Sequence, residues 1–119
     1  ADALNNIYFT NHYSAVDQDP KVVEFQAAFK EKYNTDASAF NATGYDLGYF
    51  IADAIDRADS TDPQAIQEAL ASTENFEGVT GTITVDELHN AIKSIVVIGL
   101  ENGVQASAEK ISAETTEAE

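Results

Sequence analysis

The chain has 119 residues, 44% of them hydrophobic and 23% charged, which is room for one domain or for pieces of two. Its 21 acidic and 6 basic residues leave a net charge of −15, and such a surface repels phosphate backbones and anionic lipid, arguing against nucleic-acid or membrane-surface binding. The chain has no cysteine, which excludes disulfides, thiol catalysis and cysteine-based zinc sites.

In chain order, Ala1-Asp2-Ala3-Leu4 has neither the basic region nor the apolar stretch of a signal peptide, so an exported parent is expected to carry its targeting segment upstream. Ile7-Tyr8-Phe9-Thr10 is β-prone and reads as a short strand running into a loop over residues 11–18. No obvious neighbour for this strand lies within the chain, so it is expected to be unpaired, as in a piece of a larger α/β protein. Asp19-Pro20 marks a helix start, with Asp19 as N-cap and Pro20 in the first turn. Val22, Phe25, Phe29 and Tyr33 then form one apolar stripe, flanked by charged residues, until Asn34-Thr35-Asp36 ends the helix.

A second helix is predicted over residues 38–58, with Leu47, Ile51, Ala54, Ile55 and Ala58 as its core face. Gly44 and Gly48 lie four apart within it and each costs roughly 1 kcal/mol relative to alanine. That spacing makes sense if another backbone packs closely on the same face. Ser60-Thr61-Asp62-Pro63 starts a third helix, with Ile66 and Leu70 toward the core and Ala65 and Ala69 beside them.

From Phe76 the pattern changes. Residues 79–85 are β-branched, with Val79, Ile83 and Val85 on one face, and residues 86–90 supply a turn. Residues 92–100 read as one buried strand, apolar on both faces and far too short to span a bilayer. Glu101-Asn102-Gly103 is a tight-turn signal, and Val104-Gln105-Ala106 a short returning strand. Residues 108–119 are acidic, with little bulk beyond Ile111, and are expected to be disordered. The reading is α/β: strand, three helices, then two to three strands.

Six stretches, in order, carry a family resemblance: Ile7 to Ser14, Phe25 to Tyr33, Ala42 to Asp46, Ile51 to Ile55, Phe76 to Thr84 and Lys93 to Ile98. Together they resemble the type I periplasmic-binding-protein fold in its leucine/isoleucine/valine-binding branch. The chain would be a C-terminal portion of that two-lobed fold. The resemblance implies that residues 1–9 end a strand of the C-terminal lobe, residues 10–14 cross between lobes, and residues 15–95 form part of the N-terminal lobe. Residues 96–99 would cross again and residues 100–107 return to the C-terminal lobe, followed by the acidic tail. Thr10, Asn11, His12, Tyr13, Val96, Val97 and Ile98 would then be hinge residues. In the family, most groups that hold an amino-acid ligand lie in portions upstream of this chain. One wall residue is expected to remain: Phe40, an aromatic ahead of the Gly44-Tyr45-Asp46 helix, on the apolar side of the cleft. The family's usual glycine-containing turn is replaced here by Asp86-Glu87-Leu88-His89-Asn90.

The function implied is capture of a branched-chain or similar amino acid by hinge closure and delivery to an ABC permease, outside the cytoplasm, without a cofactor or metal. The fragment alone would bind no ligand and would self-associate or exchange strands. Alternatives are a ligand-sensing regulatory domain on the same fold and a free-standing acidic interaction module. Phe40 as a cleft wall competes with Phe40 as simple packing at a helix start. His12 and His89 have no ligand-spaced partner, and Asp53, Asp56 and Asp59 read as a solvated acidic face. Catalytic constellations are missing from the sequence, so an enzyme is not expected.

Overall fold

The computed structural model describes residues 2–113. Capping chemistry sets the helix starts where the sequence puts them. Asp19 accepts from the Lys21 amide at 2.9 Å and, with Pro20, opens α1 (Pro20–Tyr33), which closes on Asn34 in the left-handed region at φ 53°. Ser38 and Asn41 cap reciprocally at the start of α2 (Ala39–Ala58). Asp62 accepts from the amides of Gln64 and Ala65 at 3.0 and 3.2 Å, opening α3 (Pro63–Ala71) behind Pro63. Arg57 near the end of α2 donates to the Ala69 carbonyl at 2.7 Å and to Thr73 Oγ1 at 2.8 Å, which fixes α3 against it.

The strands form two antiparallel sheets of three. The first places β5 (Ile95–Glu101) between β1 (Ile7–Asn11) and β6 (Val104–Ile111). The leading strand is therefore paired within the chain, contrary to expectation: Thr10 lies opposite Val97 and Asn11 opposite Val96. The tail expectation also fails in part, because residues 108–111 continue β6 along β5, with Ala108 opposite Ile98 and Ile111 opposite Ile95. Residues 114–119 of that expectation lie outside the described residues. The turn between β5 and β6 has positive φ at Asn102 and Gly103, as a two-residue hairpin requires.

The second sheet is a meander of β2 (Phe76–Gly78), β3 (Gly81–Val85) and β4 (Ala91–Lys93). Val79 and Thr80 are turn residues rather than the start of a strand, because Gly81 takes φ 115° and reverses the chain there. The single strand expected over residues 92–100 is broken at buried Ser94, and its two halves join different sheets. Residues 86–90 do form a turn: Asp86 accepts from the amides of Leu88 and Asn90 at 2.9 and 2.7 Å.

Tyr13, Val22, Phe25, Ala42 and Val79 make the core that joins the β1 exit, α1, α2 and the β2–β3 turn. Of the α1 stripe, Val22 and Phe25 are buried, Phe29 packs at the margin and Tyr33 is exposed. On α2 the buried positions are Ala42, Asp46 and Ala54, whereas Leu47, Ile51 and Ile55 of the expected core face are open to solvent. A Cβ added at Gly44 or Gly48 would meet no atom within 4 Å. The most apolar face of the longest helix is thus uncovered.

Candidate functional site

Three segments converge on a cleft of about 570 Å³: Thr10, Asn11 and His12 at the exit of β1, Ala39, Phe40 and Thr43 at the start of α2, and Ile95 at the start of β5. Each is held by local chemistry. The Ser38–Asn41 capping box fixes the first turn of α2, and Thr43 Oγ1 donates to the Phe40 carbonyl at 3.2 Å. Asn11 Oδ1 accepts from the His12 amide at 2.8 Å, which turns the chain out of β1. Pairing of Asn11 with Val96 sets the β1 exit beside Ile95.

Phe40 is 89% exposed, the most open of the large apolar residues, and it sits on the cleft rather than in the core. Thr10, Asn11 and His12 share the cleft with it. Tyr13 does not line it; it is buried against Phe25, ring edge to ring face at 6.1 Å, and burial raises its phenol pKa above the ordinary value. Val96 and Ile98 are buried within the sheet and Val97 is half-buried. The chemistry on offer is one aromatic face, small aliphatic groups and a few neutral hydrogen-bonding groups, which suits an apolar side chain.

Further along α2, outside the cleft lining, lies a buried acidic residue that reading the sequence did not single out. The Asp46 carboxylate, 4% exposed, accepts from the Val79 amide at 2.7 Å, the Thr80 amide at 2.8 Å and Thr80 Oγ1 at 2.6 Å. Lys93 Nζ in turn donates to Thr80 Oγ1 at 2.5 Å, and burial pushes the lysine's pKa down while Asp46 opposes the shift. A Cβ at Gly78 would lie 2.5 Å from Asp46 Oδ2, so the turn closes on the carboxylate only with glycine there. The signal was legible in principle, since Asp46 follows Ala42 by four residues and precedes Ala54 by eight, on the same helix face.

The remaining candidates separate. His12 and His89 are exposed, and His89 occupies the β3–β4 turn at φ 64°. Asp53 pairs with Arg57 at 2.8 Å and Asp59 caps α2 in the left-handed region. Among the described residues, no three His, Asp or Glu side chains converge as a metal site.

Comparison with known proteins places this geometry. A family model described as periplasmic binding protein matches residues 1–110. Among solved structures, the leucine-binding protein LivK of Thermotoga maritima is 38% identical over 93% of this chain and 32% of that one, with a TM-score of 0.75. The branched-chain amino-acid transporter substrate-binding protein LivJ of Streptococcus pneumoniae, in complex with isoleucine, is 34% identical over 90% of this chain and 30% of that one, at TM-score 0.77. A putative branched-chain amino-acid ABC transporter protein of Rhodospirillum rubrum is 28% identical over 87% and 30%, at TM-score 0.78. No curated protein matches at a significant level. The chain spans about a third of the length of these solved relatives, 32%, 30% and 30% in turn. Its two small sheets and three helices are a portion of the type I binding-protein fold, and the chain belongs to the periplasmic binding protein family.

Proposed function

We propose that this chain is the C-terminal part of an extracytoplasmic solute-binding protein that captures a branched-chain or similar amino acid and delivers it to an ABC permease. The observation that carries the reading is the open ring of Phe40 on a cleft bordered by the exit of β1 and the start of β5. An exposed aromatic is a wall waiting for an apolar side chain, and each CH₂ buried against it contributes roughly 0.8 kcal/mol. The ligands named for LivK and LivJ, leucine and isoleucine, are of that kind.

The mechanism is hinge closure. Residues 10–14 and 96–99 cross between lobes, so Thr10, Asn11, His12, Tyr13, Val96, Val97 and Ile98 form the hinge. Thr10 pairs with Val97 and Asn11 with Val96, which supports a hinge in which a bend in one segment is shared by the other. Ligand contacts in both lobes favour the closed state. The open face of α2, bearing Gly44, Leu47, Gly48 and Ile51, is where the rest of the N-terminal lobe packs. Without that cover the isolated chain self-associates. A monomer by light scattering at high concentration would count against this last point.

The test is a set of thermal melts of the full-length receptor with the twenty amino acids, several amides and several aromatic acids. A ligand at a hundredfold its dissociation constant stabilises by roughly 2.7 kcal/mol, a clear rise in Tm. Rises confined to Leu, Ile and Val support the reading. A rise with another metabolite and none with any amino acid would keep the fold and discard the ligand.

A further inference from the structure

The two walls of the cleft facing Phe40 are tied to α2 by different means. The β1 wall is held through Tyr13, which follows His12 directly and is buried against the core that includes Ala42. The β5 wall, Ile95, is itself 38% exposed; buried Val96 follows it and pairs with Asn11 of β1, while the polar Ser94 precedes it. Besides its pairing with β1, it has a second tie, through the β2–β3 turn. Gly81, just after that turn, presses on Ser94: a Cβ on Gly81 would lie 2.3 Å from Ser94 Oγ. Thr80, one residue earlier, is gripped by Asp46 of α2 and by Lys93, the residue before Ser94.

We infer that Asp46 is a positioning residue of the cleft: through Thr80 and Lys93 it sets the separation between Phe40 on α2 and Ile95 on β5. The physical argument rests on hydrogen-bond order. A carboxylate is acceptor-only, so both oxygens are committed to the turn, Oδ1 to the Val79 amide and Oδ2 to Thr80. The Thr80 hydroxyl has one proton, given to Asp46 at 2.6 Å, and its lone pairs accept from Lys93 Nζ at 2.5 Å. Donor and acceptor roles are thereby fixed along the chain Lys93, Thr80, Asp46, with no alternative arrangement that satisfies all three. Charge-assisted hydrogen bonds of this kind, away from water, resist stretching far more than apolar contacts do. Asp46 lies six residues after Phe40 in one unbroken helix, so the ring inherits the position of the clamp. The inference deepens the proposed function, because a spaced pair of walls selects side chains by width, but the spacing itself exists without ligand.

The chain has neither tryptophan nor cysteine, which allows a clean distance reporter. Phe40→Trp with Ile95→Cys carrying a bimane label places a quencher and a fluorophore on the two walls. In that background Thr80→Val removes the hydroxyl link and keeps both backbone bonds to Asp46, whereas Thr80→Ser keeps the link. Asp46→Asn is the harsher variant and is read only where circular dichroism shows it folded. The expected result is loss of quenching in Thr80→Val and retention in Thr80→Ser, at temperatures where both melt curves show folded chain. Unchanged quenching in folded Thr80→Val would overturn the inference, leaving the Asp46 cluster a stabilising feature without a role in spacing. Failure of the intact receptor to bind any amino acid would remove the proposed ligand and leave this result standing; unchanged quenching would remove the spacing and leave the ligand standing.

Discussion

Truncating Phe40 separates a ligand wall from a core residue, because the two roles predict opposite pairs of results. The ring is 89% exposed, so Phe40→Ala removes almost no buried area, and the stability of the 119-residue chain should change by no more than about 0.5 kcal/mol. A buried phenylalanine cut to alanine would instead cost about 3–5 kcal/mol. In the intact receptor the same truncation strips one wall from the ligand's side chain. Two to four CH₂ equivalents at about 0.8 kcal/mol each give roughly 1.5–3 kcal/mol, or about tenfold to hundredfold weaker binding of leucine and isoleucine. Urea unfolding of the chain gives the first quantity and isothermal titration of the receptor the second. Phe40→Leu, which restores an apolar wall of smaller width, should recover part of the affinity. A stability loss above 1 kcal/mol with unchanged leucine affinity would refute the reasoning and return Phe40 to simple packing.

Other consequences are equally direct. Gly78→Ala drives a methyl group into the Asp46 carboxylate, and the displaced hydrogen bonds to Val79 and Thr80 should cost about 1–3 kcal/mol in urea unfolding. Gly44→Ala meets nothing within 4 Å, so it should stabilise the isolated chain by about 0.5–1 kcal/mol through helix propensity. In the intact receptor, where a neighbouring backbone covers that face, the gain should vanish or reverse. Ile98→Ala empties a fully buried position in the central strand of the first sheet and should cost about 2–5 kcal/mol by the same measurement. Burial raises the Tyr13 pKa in the folded chain, so above its ordinary value of about 10 the unfolded state releases that proton while the folded state keeps it. The contribution is fully present below pH 10 and is lost as pH rises through the folded value; Tyr13→Phe should flatten that alkaline decline in a pH series of melts.

What the sequence disclosed follows from which interactions are local. Helix starts at Asp19, Ser38 and Asp62 depend on side chains reaching amides two or three residues away, and all three stand where the residues put them. The Asn102-Gly103 turn is local in the same sense. Pairing of Ile7 with Leu100 is not, and nothing within either segment names the other. Only residues 104–106 of β6 read as a returning strand, and its continuation to Ile111 escapes notice for a different reason. Beyond Ser107, Glu109 and Lys110 leave little apolar bulk, and the order there comes from backbone bonds to β5 and from Lys110 beside Asp17 and Asp19, at 3.7 and 3.5 Å. Composition alone reads such a segment as solvated tail. Asp46 was hidden among the matched motif residues, since a helix-interior carboxylate shows its purpose only once the turn that donates to it is in place.

The α2 face is the most instructive discrepancy, because the periodicity was real and its interpretation incomplete. Leu47, Ile51 and Ile55 do form a stripe at helical spacing, but within this chain a Cβ at Gly44 or Gly48 would meet nothing within 4 Å. Periodicity reports which face of a helix requires cover; whether the cover belongs to the same 119 residues is a separate matter. Within the described residues α2 turns its Ala42, Asp46 and Ala54 face to its neighbours and leaves the more apolar one open. A helix that is apolar on one side and buried on the other is a middle layer. That agrees with a chain spanning 32% of the LivK structure it resembles. Restoring the rest of the lobe should protect Leu47 and Ile51 from solvent, whereas Phe40, if it is a wall of the cleft, should stay accessible until ligand binds. Hydrogen exchange cannot read side chains directly, but cysteine accessibility can: Leu47→Cys should react quickly in the isolated chain and slowly in the receptor. Phe40→Cys should react quickly in both and slow down only with leucine present. Rapid reaction of Leu47→Cys in the receptor would refute the cover over α2, and slow reaction of Phe40→Cys without leucine would refute the open wall.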